Sequence, residues 1–105
     1  MPEEKKPFHT QSCGLNIGVM NLPAPLVHIH LYDDELHIHY PIDGNVWLTY
    51  AEITAARLEK QWLFHGVKIE HTNRNVNANV FVWAGNAEEL HALIAAKVPQ
   101  VAAKD

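Results

Sequence analysis

Apolar and polar residues alternate along a mirror-symmetric stretch in the first half of this chain. Residues 28–32 and 35–39 both follow a period of two, and the acidic pair Asp33-Asp34 separates the two runs. Such alternation is typical of half-buried strands, and two runs joined by a short polar turn predict a β-hairpin. Because a slip of one residue would place one apolar set in water, the pattern also predicts the pairing register.

The predicted hairpin carries four of the eight histidines of the chain on its polar face. With the acidic pair as the turn, His30 lies opposite His37, and His28 lies opposite His39. Directly opposed residues in an antiparallel pair have Cβ atoms about 4.5–5.5 Å apart. The four imidazoles are therefore expected to form one patch, which is the best candidate site in the sequence.

This histidine patch has three interpretations. Neutral imidazole binds Zn, Ni and Cu, so the first is a metal site with the ligands His28, His30, His37 and His39. The second is a pH-responsive or partner-facing surface, because neighbouring imidazoles oppose one another's protonation. The third is a solvated strand face whose polar positions are histidine. The residues themselves leave these three alternatives open.

The remaining pattern predicts further strands and one C-terminal helix. Strands are predicted at residues 14–20, 46–50, 67–71 and 80–83, with an Asn-rich loop at residues 72–79. A helix over about residues 87–97 is expected to begin after Asn86 and to end before Pro99. On that helix, His91 is expected to be exposed.

Length and composition predict a single domain. The chain has 105 residues, of which 48% are hydrophobic, which is enough for one core. Residues 1–12 are polar and contain two prolines, so we expect a flexible N-terminal arm there. The domain is predicted to span residues 13–99, and residues 100–105 are expected to form a flexible tail.

Residues 51–63 favour two structures equally. Their composition is that of a helix, and Thr49-x-x-Glu52 has the form of a capping box. The same stretch also fits a strand, in which Ile53, Ala55 and Arg57 share one face. Local propensity cannot decide between helix and strand here.

Charge and cysteine content argue against several classes of function and location. A net charge of −4 with only eight lysines and arginines argues against a nucleic-acid partner and against docking on anionic lipid. The single Cys13 cannot form an internal disulfide, and neither a secretory signal nor a membrane-spanning run is visible. We therefore expect a cytoplasmic protein that binds neither nucleic acid nor membrane.

The order of motifs from residue 26 to residue 98 carries a family resemblance. The matching segments are Asp33-Asp34-x-Leu36, residues 47–53 (Trp-Leu-Thr-Tyr-Ala-Glu-Ile), residues 57–60, residues 66–71, residues 80–83 and a C-terminal helix entered by an acidic turn. This succession resembles the bacterial pleckstrin-homology-like (PH-like) domains. The motifs are a hydrophobic pattern with one Glu-Ile turn.

The resemblance implies a fold and a class of function. It implies a mainly β (α+β) fold, in which a bent antiparallel sheet or partly open barrel is capped by one C-terminal helix. It favours a strand at residues 53–60, whereas the alternative is a ββαββα two-layer sandwich with a central helix at residues 50–64. The resemblance implies no enzymatic activity. Phosphoinositide binding is not expected, because the corresponding turn, Asp33-Asp34, contains no lysine or arginine.

Aromatic residues suggest where partners could bind. Trp47 and Trp83 are expected to pack in the core or on the sheet, whereas Trp62, Leu63 and Phe64 form a compact run that predicts an interface. The predicted function is a small non-enzymatic protein-interaction or oligomerisation module, self-associating and without a cofactor. The alternative is a metal-binding protein that uses the histidine patch to hold Zn, Ni or Cu.

Overall fold

In the computed structural model, which describes residues 6–61 and 63–99, seven antiparallel strands form one sheet. The strands are β1 (His9–Ile17), β2 (Met20–Leu31), β3 (Glu35–Tyr40), β4 (Gly44–Thr49), β5 (Ile53–Gln61), β6 (Phe64–His71) and β7 (Val80–Trp83). Their order across the sheet is β4-β3-β2-β1-β7-β6-β5. The sheet curls into a half-barrel, and the single helix α1 (Ala87–Ala95) packs mainly on β5 and β6. The predicted mainly β class with one C-terminal helix is confirmed.

The core lies on the concave side of the sheet, where alternate residues of β3, β4 and the C-terminal half of β2 are buried. Leu90 and Ile94 of α1 complete this core from the open side of the half-barrel. The fully buried aliphatic side chains of the strands are Leu15, Val27, Ile29, Leu31, Leu36, Ile38, Leu48, Val67, Ile69, Val80 and Val82. Burial of this apolar surface is the main force that holds the sheet curled around the helix.

The first hairpin forms in the predicted register. β2 ends at Leu31 and β3 begins at Glu35, with the acidic pair in the turn. His28 pairs with His39, and His30 pairs with His37. The alternation therefore determined the pairing, because only this register buries the aliphatic residues of both strands.

Residues 50–61 combine the two structures that the local sequence allowed. The capping box is present, but it opens a single 3₁₀ turn, Tyr50–Glu52, in which the backbone N–H of Thr49 donates to Glu52 Oε1 at 3.1 Å. The chain then enters β5 at Ile53, which pairs with β6. The alternative with a central helix at residues 50–64 is wrong, because the ladder with β6 overrides the helical propensity.

The predicted domain limits need correction at the N-terminal side. The arm was predicted to extend through residue 12, but β1 begins at His9, which pairs with Leu31. Residues 9–12 show no alternation of apolar and polar side chains, so their own sequence does not predict a strand. They form one because they pair with β2. Residues 1–5 and the predicted tail, residues 100–105, lie outside the described residues. The helix ends at Ala95, two residues before its predicted end.

Two glycines make room for aromatic rings on the convex face of the sheet. A Cβ added at Gly14 would overlap the indole of Trp83, and one added at Gly66 would lie 2.8 Å from Cζ of Phe81. Gly14 and Gly66 flank Trp83 on the neighbouring strands β1 and β6. The rings of β7 therefore lie flat over their neighbours, and Phe81 is fully buried.

We expect Gly66→Ala to destabilise the protein. The added Cβ would overlap the carbonyl oxygen of Val82 and press on Phe81, and overpacking of this kind costs about 1–3 kcal/mol. The measurement is the free energy of unfolding from urea titration. Gly85→Ala is the matched control, because a Cβ there meets nothing within 4 Å, and it should stay within about 0.5 kcal/mol of the parent. Equal stability of the two variants would contradict this packing.

Candidate functional site

The convex side of β2, β3 and β4 carries a surface that we call the histidine face. It consists of the four histidines of the hairpin together with Asn45 and Trp47 of β4. One row across the strands contains His30, His37 and Trp47, and the next contains His28, His39 and Asn45. The structure thus brings all four sequence-predicted histidines onto one face and adds two residues from an edge strand.

Backbone hydrogen bonding explains why Trp47 stacks on His37. The N–H of Tyr50 donates to the carbonyl of Asp34 at 3.2 Å, which fixes the alternation of bonded and non-bonded pairs between β3 and β4. In this alternation His37 and Trp47 form a non-hydrogen-bonded pair, whose side chains come closest together. Their rings are 3.8 Å apart at the centroids and inclined by 5°.

The pair His30 and His37 has the opposite backbone geometry. The N–H of Tyr32 donates to the carbonyl of Glu35 at 2.9 Å, so His30 and His37 form a hydrogen-bonded pair across β2 and β3. Such pairs are more widely spaced. Their rings still stack, with centroids 5.4 Å apart and planes inclined by 22°. The face therefore presents a row of three stacked rings.

Hydrogen bonds from neighbouring strands orient the imidazoles. Asn45 Oδ1 lies 2.7 Å from Nε2 of His37 and 3.2 Å from Nδ1 of His39, so this carbonyl accepts from both rings. The amide nitrogen of Asn45 donates in turn to the backbone carbonyl of Asp43 at 3.2 Å. On the other side, Thr10 Oγ1 lies 3.1 Å from Nδ1 of His30. Contacts with Thr10 and Asn45 therefore orient three of the four imidazoles, His30, His37 and His39.

Burial and the neighbouring imidazoles disfavour the protonated form of His30 and lower its pKa. Burial is the largest cause that lowers the pKa of His30 below its ordinary value, and the neighbouring His37, His28 and His39 lower it further. A proton on His30 therefore meets both desolvation and the like charge of its neighbours.

The imidazoles of the histidine face stack on neighbouring rings and do not point toward a common centre that could hold a metal ion. No group of three or more His, Cys, Asp or Glu side chains is placed to hold a metal ion within residues 6–61 and 63–99. His30 and His37 face each other ring to ring, and the centroids of His37 and His39 are 6.2 Å apart. The predicted ligand set thus shares a face, while one ring nitrogen of each of His30, His37 and His39 is engaged by Thr10 or Asn45.

The described residues of the predicted interface run, Leu63 and Phe64, do not share one environment in the structure. Leu63 lies in the turn between β5 and β6 with 68% of its surface exposed. Phe64 is half-buried and packs on Trp83, with ring centroids 4.2 Å apart. Trp62 lies outside the described residues. Of this run, Leu63 is the described side chain that faces solvent.

Trp47 and His91 differ in how closely the structure follows the expectation. Trp47 was expected to pack in the core or on the sheet, and it packs on the sheet face against His37 with 45% of its surface exposed, because Val46 and Leu48 on either side take the inward positions of β4. That alternation is visible in the sequence and could have placed it. His91 was expected to be exposed, but it is half-buried, and its Nε2 lies 2.9 Å from the carbonyl oxygen of Ala56 on β5. No sequence signal pointed to this contact.

Comparisons with known proteins give the fold alone. No family model matches the chain, and no curated protein matches it. Among solved structures, it is similar to the C-terminal domain of an unknown protein from Leishmania infantum, with a TM-score of 0.70 and 10% sequence identity. The alignment covers 89% of this chain and 84% of that one. In the part of the chain that the structure describes, no helix has the length and apolar character needed to cross a membrane.

We expect His30→Gln to reduce the loss of stability on acidification. In the unfolded chain His30 titrates near its ordinary value of 6.5, whereas its pKa in the folded protein is lower. Between these values the unfolded state binds more protons. The contribution of His30 is therefore complete above about pH 6.5 and is lost as the pH falls through its lowered pKa. Urea titrations at neutral and mildly acidic pH measure the difference.

The matched control for this experiment is His65→Gln. His65 is exposed on β6, away from the histidine face, so its variant should keep the parent's pH dependence. An NMR titration adds a direct readout, because His37→Gln removes the neighbouring charge and should raise the pKa of His30. If His30→Gln and His65→Gln show the same pH dependence of stability, the lowered pKa of His30 does not contribute to that dependence.

Proposed function

We propose that this protein is a small, non-enzymatic module that binds a protein partner or another copy of itself through the histidine face. The observation that carries the proposal is the geometry of Trp47, which is 45% exposed yet held flat on His37. Tryptophan is enriched among the residues that dominate binding energy at interfaces. A ring already fixed in place loses little conformational entropy on binding, which favours affinity.

The chemistry of the described residues supports a non-enzymatic function. Cys13 is buried in the core, and burial raises the pKa of its thiol to about 12. A thiol in this environment is protonated at neutral pH and is a poor nucleophile. The imidazoles of the histidine face contact one another, Thr10 and Asn45. None of these contacts is the hydroxyl–imidazole–carboxylate arrangement that activates a serine-type nucleophile.

We propose PH-like architecture and a cytoplasmic location for the module. The bent sheet with one C-terminal helix fits the PH-like resemblance of residues 26–98. The acidic turn Asp33-Asp34 at the end of the first hairpin disfavours phosphoinositides, because anionic headgroups are bound by lysine and arginine.

We expect Trp47→Ala to weaken the interaction at least about tenfold without unfolding the domain. Its indole lies on the convex face, so removal leaves the core intact, and loss of a hot-spot tryptophan costs about 2 kcal/mol or more of binding free energy. The measurement combines sedimentation over a wide concentration range with affinity purification from native cells. Leu58→Ala is the matched control, because Leu58 is 44% exposed on the opposite edge strand, β5.

Of the three proteins, Trp47→Ala should differ in binding but not in fold. The parent and Leu58→Ala should self-associate or retain the same protein partner equally well, whereas Trp47→Ala should do so at least about tenfold more weakly. Circular dichroism must show the same fold for all three proteins. A parent that is monomeric and retains no partner, or a Trp47→Ala variant that behaves as the parent does, would contradict the proposed function.

A metal site remains the second candidate, and one contact favours it. Nε2 of His37 and Nδ1 of His39 both approach Asn45 Oδ1, so two imidazole nitrogens already converge near one point. An ion such as Zn, Ni or Cu could replace their protons there, with a partner's side chain completing its coordination shell.

The metal content of untagged protein, measured by inductively coupled plasma mass spectrometry, tests this second candidate. For the interaction module, we expect less than stoichiometric metal, and the same low content in a His37→Gln/His39→Gln variant. Stoichiometric Zn, Ni or Cu that is lost in the variant would establish the metal site instead. His65→Gln serves as the control for nonspecific binding to exposed imidazole.

A further inference from the structure

The sheet has two edge strands, β4 and β5, and they differ in how they are protected. On β5, His91 of α1 donates to the backbone carbonyl of Ala56 at 2.9 Å, and the pairing register shifts between Ile53 and Ala55. The strand also carries the charged residues Arg57, Glu59 and Lys60. A covering helix, an irregular register and charged side chains are the usual means by which an edge avoids pairing with another chain.

The edge strand β4 has none of these features within its six residues, Gly-Asn-Val-Trp-Leu-Thr. It contains no charge and no proline, and its register with β3 is unbroken. The helix packs mainly on β5 and β6, at the other side of the sheet. An exposed edge of this kind is a template for pairing with another strand.

The outward backbone groups of β4 follow from its pairing with β3. Because Tyr50 is hydrogen-bonded to Asp34, the groups of Leu48, Val46 and Gly44 point toward β3. Those of Asn45, Trp47 and Thr49 therefore point away from the sheet. The N–H of Thr49 confirms this direction, since it donates to Glu52 Oε1. Within the described residues, no backbone group pairs with the outward N–H and C=O of Trp47.

We propose that β4 pairs antiparallel with β4 of a second copy of this chain, about a two-fold axis at Trp47. The proposal rests on the proposed function and names its partner. Trp47 would exchange two N–H···O=C bonds with the partner's Trp47, and the N–H of Asn45 would donate to the carbonyl of the partner's Thr49. The two half-barrels would then share one continuous sheet.

The pattern of outward groups favours a second copy as the occupant. The outward positions 45, 47 and 49 are symmetric about residue 47, so the strand is complementary to itself, as a two-fold interface requires. Thr49 has already used its N–H on Glu52, but its opposite residue, the partner's Asn45, has an N–H to donate to the carbonyl of Thr49. With no charge on β4, like charges do not oppose each other within the paired strands.

Side chains on the convex face support the same pairing. The stacked row of His30, His37 and Trp47 ends at the open edge of β4. In the dimer, the row continues directly into the partner's Trp47, and each half-exposed indole covers the other. Cross-strand aromatic pairs stabilise antiparallel sheets, which adds side-chain contact to the backbone bonds.

The experiment compares Trp47→Pro with Trp47→Ala by sedimentation velocity over a wide concentration range. Both variants lose the indole, but only proline also removes the outward N–H. Because that N–H is not part of the ladder with β3, proline is tolerated at this edge position. We expect Trp47→Ala to weaken dimerisation at least about tenfold and Trp47→Pro about a hundredfold or more. Leu58→Ala on β5 should dimerise as the parent does.

Hydrogen–deuterium exchange of the parent provides a second readout that does not depend on any variant. The amides of Trp47 and Asn45 should exchange slowly in concentrated protein and quickly on dilution. A dimer in which these amides exchange quickly would overturn the β4 pairing and leave the proposed function standing. A monomer in which a protein partner slows exchange at Trp47 would overturn the second copy as occupant, again leaving the function. A monomer that binds no partner would overturn both.

Discussion

The direction of the backbone hydrogen bonds between β3 and β4 is the constraint on which the surface of this protein depends. Once Tyr50 bonds to Asp34, the alternation along both strands is determined. It brings His37 and Trp47 into a close pair and turns the N–H of Trp47 toward solvent. A single backbone register therefore produces both the stacked face and the unpaired edge.

The parts of this structure that follow from the sequence are those governed by burial. The pairing of His28 with His39 was predictable because the acidic pair indicates the turn and a one-residue slip would separate Ile29 and Ile38, which are fully buried, onto opposite faces. The strand at residues 53–61 could not be predicted from its own residues. Its ladder with β6 depends on chain that lies beyond it, and no local pattern contains that information.

The candidate site also has one part that the sequence predicts and one part that it does not. That four histidines share one face follows from the period of two along the hairpin. How their rings are oriented does not follow, because Thr10 of β1 and Asn45 of β4 hold them from strands on either side. The outward position of Trp47 was available in the alternation with Val46 and Leu48, whereas residue type alone allowed either the core or the sheet face. Ring orientation and exposed tryptophan are thus properties of the assembled sheet.

The order of the strands has a consequence for how the chain folds. Strands β1 to β4 form one meander of sequential neighbours, and β5 to β7 form another. Within the sheet that the structure describes, the two meanders are joined by the pairing of β1 with β7, although Ile17 and Val80 are far apart in sequence. Each meander can form through local contacts, whereas this central seam requires closure of a long loop, which is entropically costly. Folding should therefore be limited by the closure of the sheet at its middle, and the edge strand β4 should be structured before the half-barrel is complete.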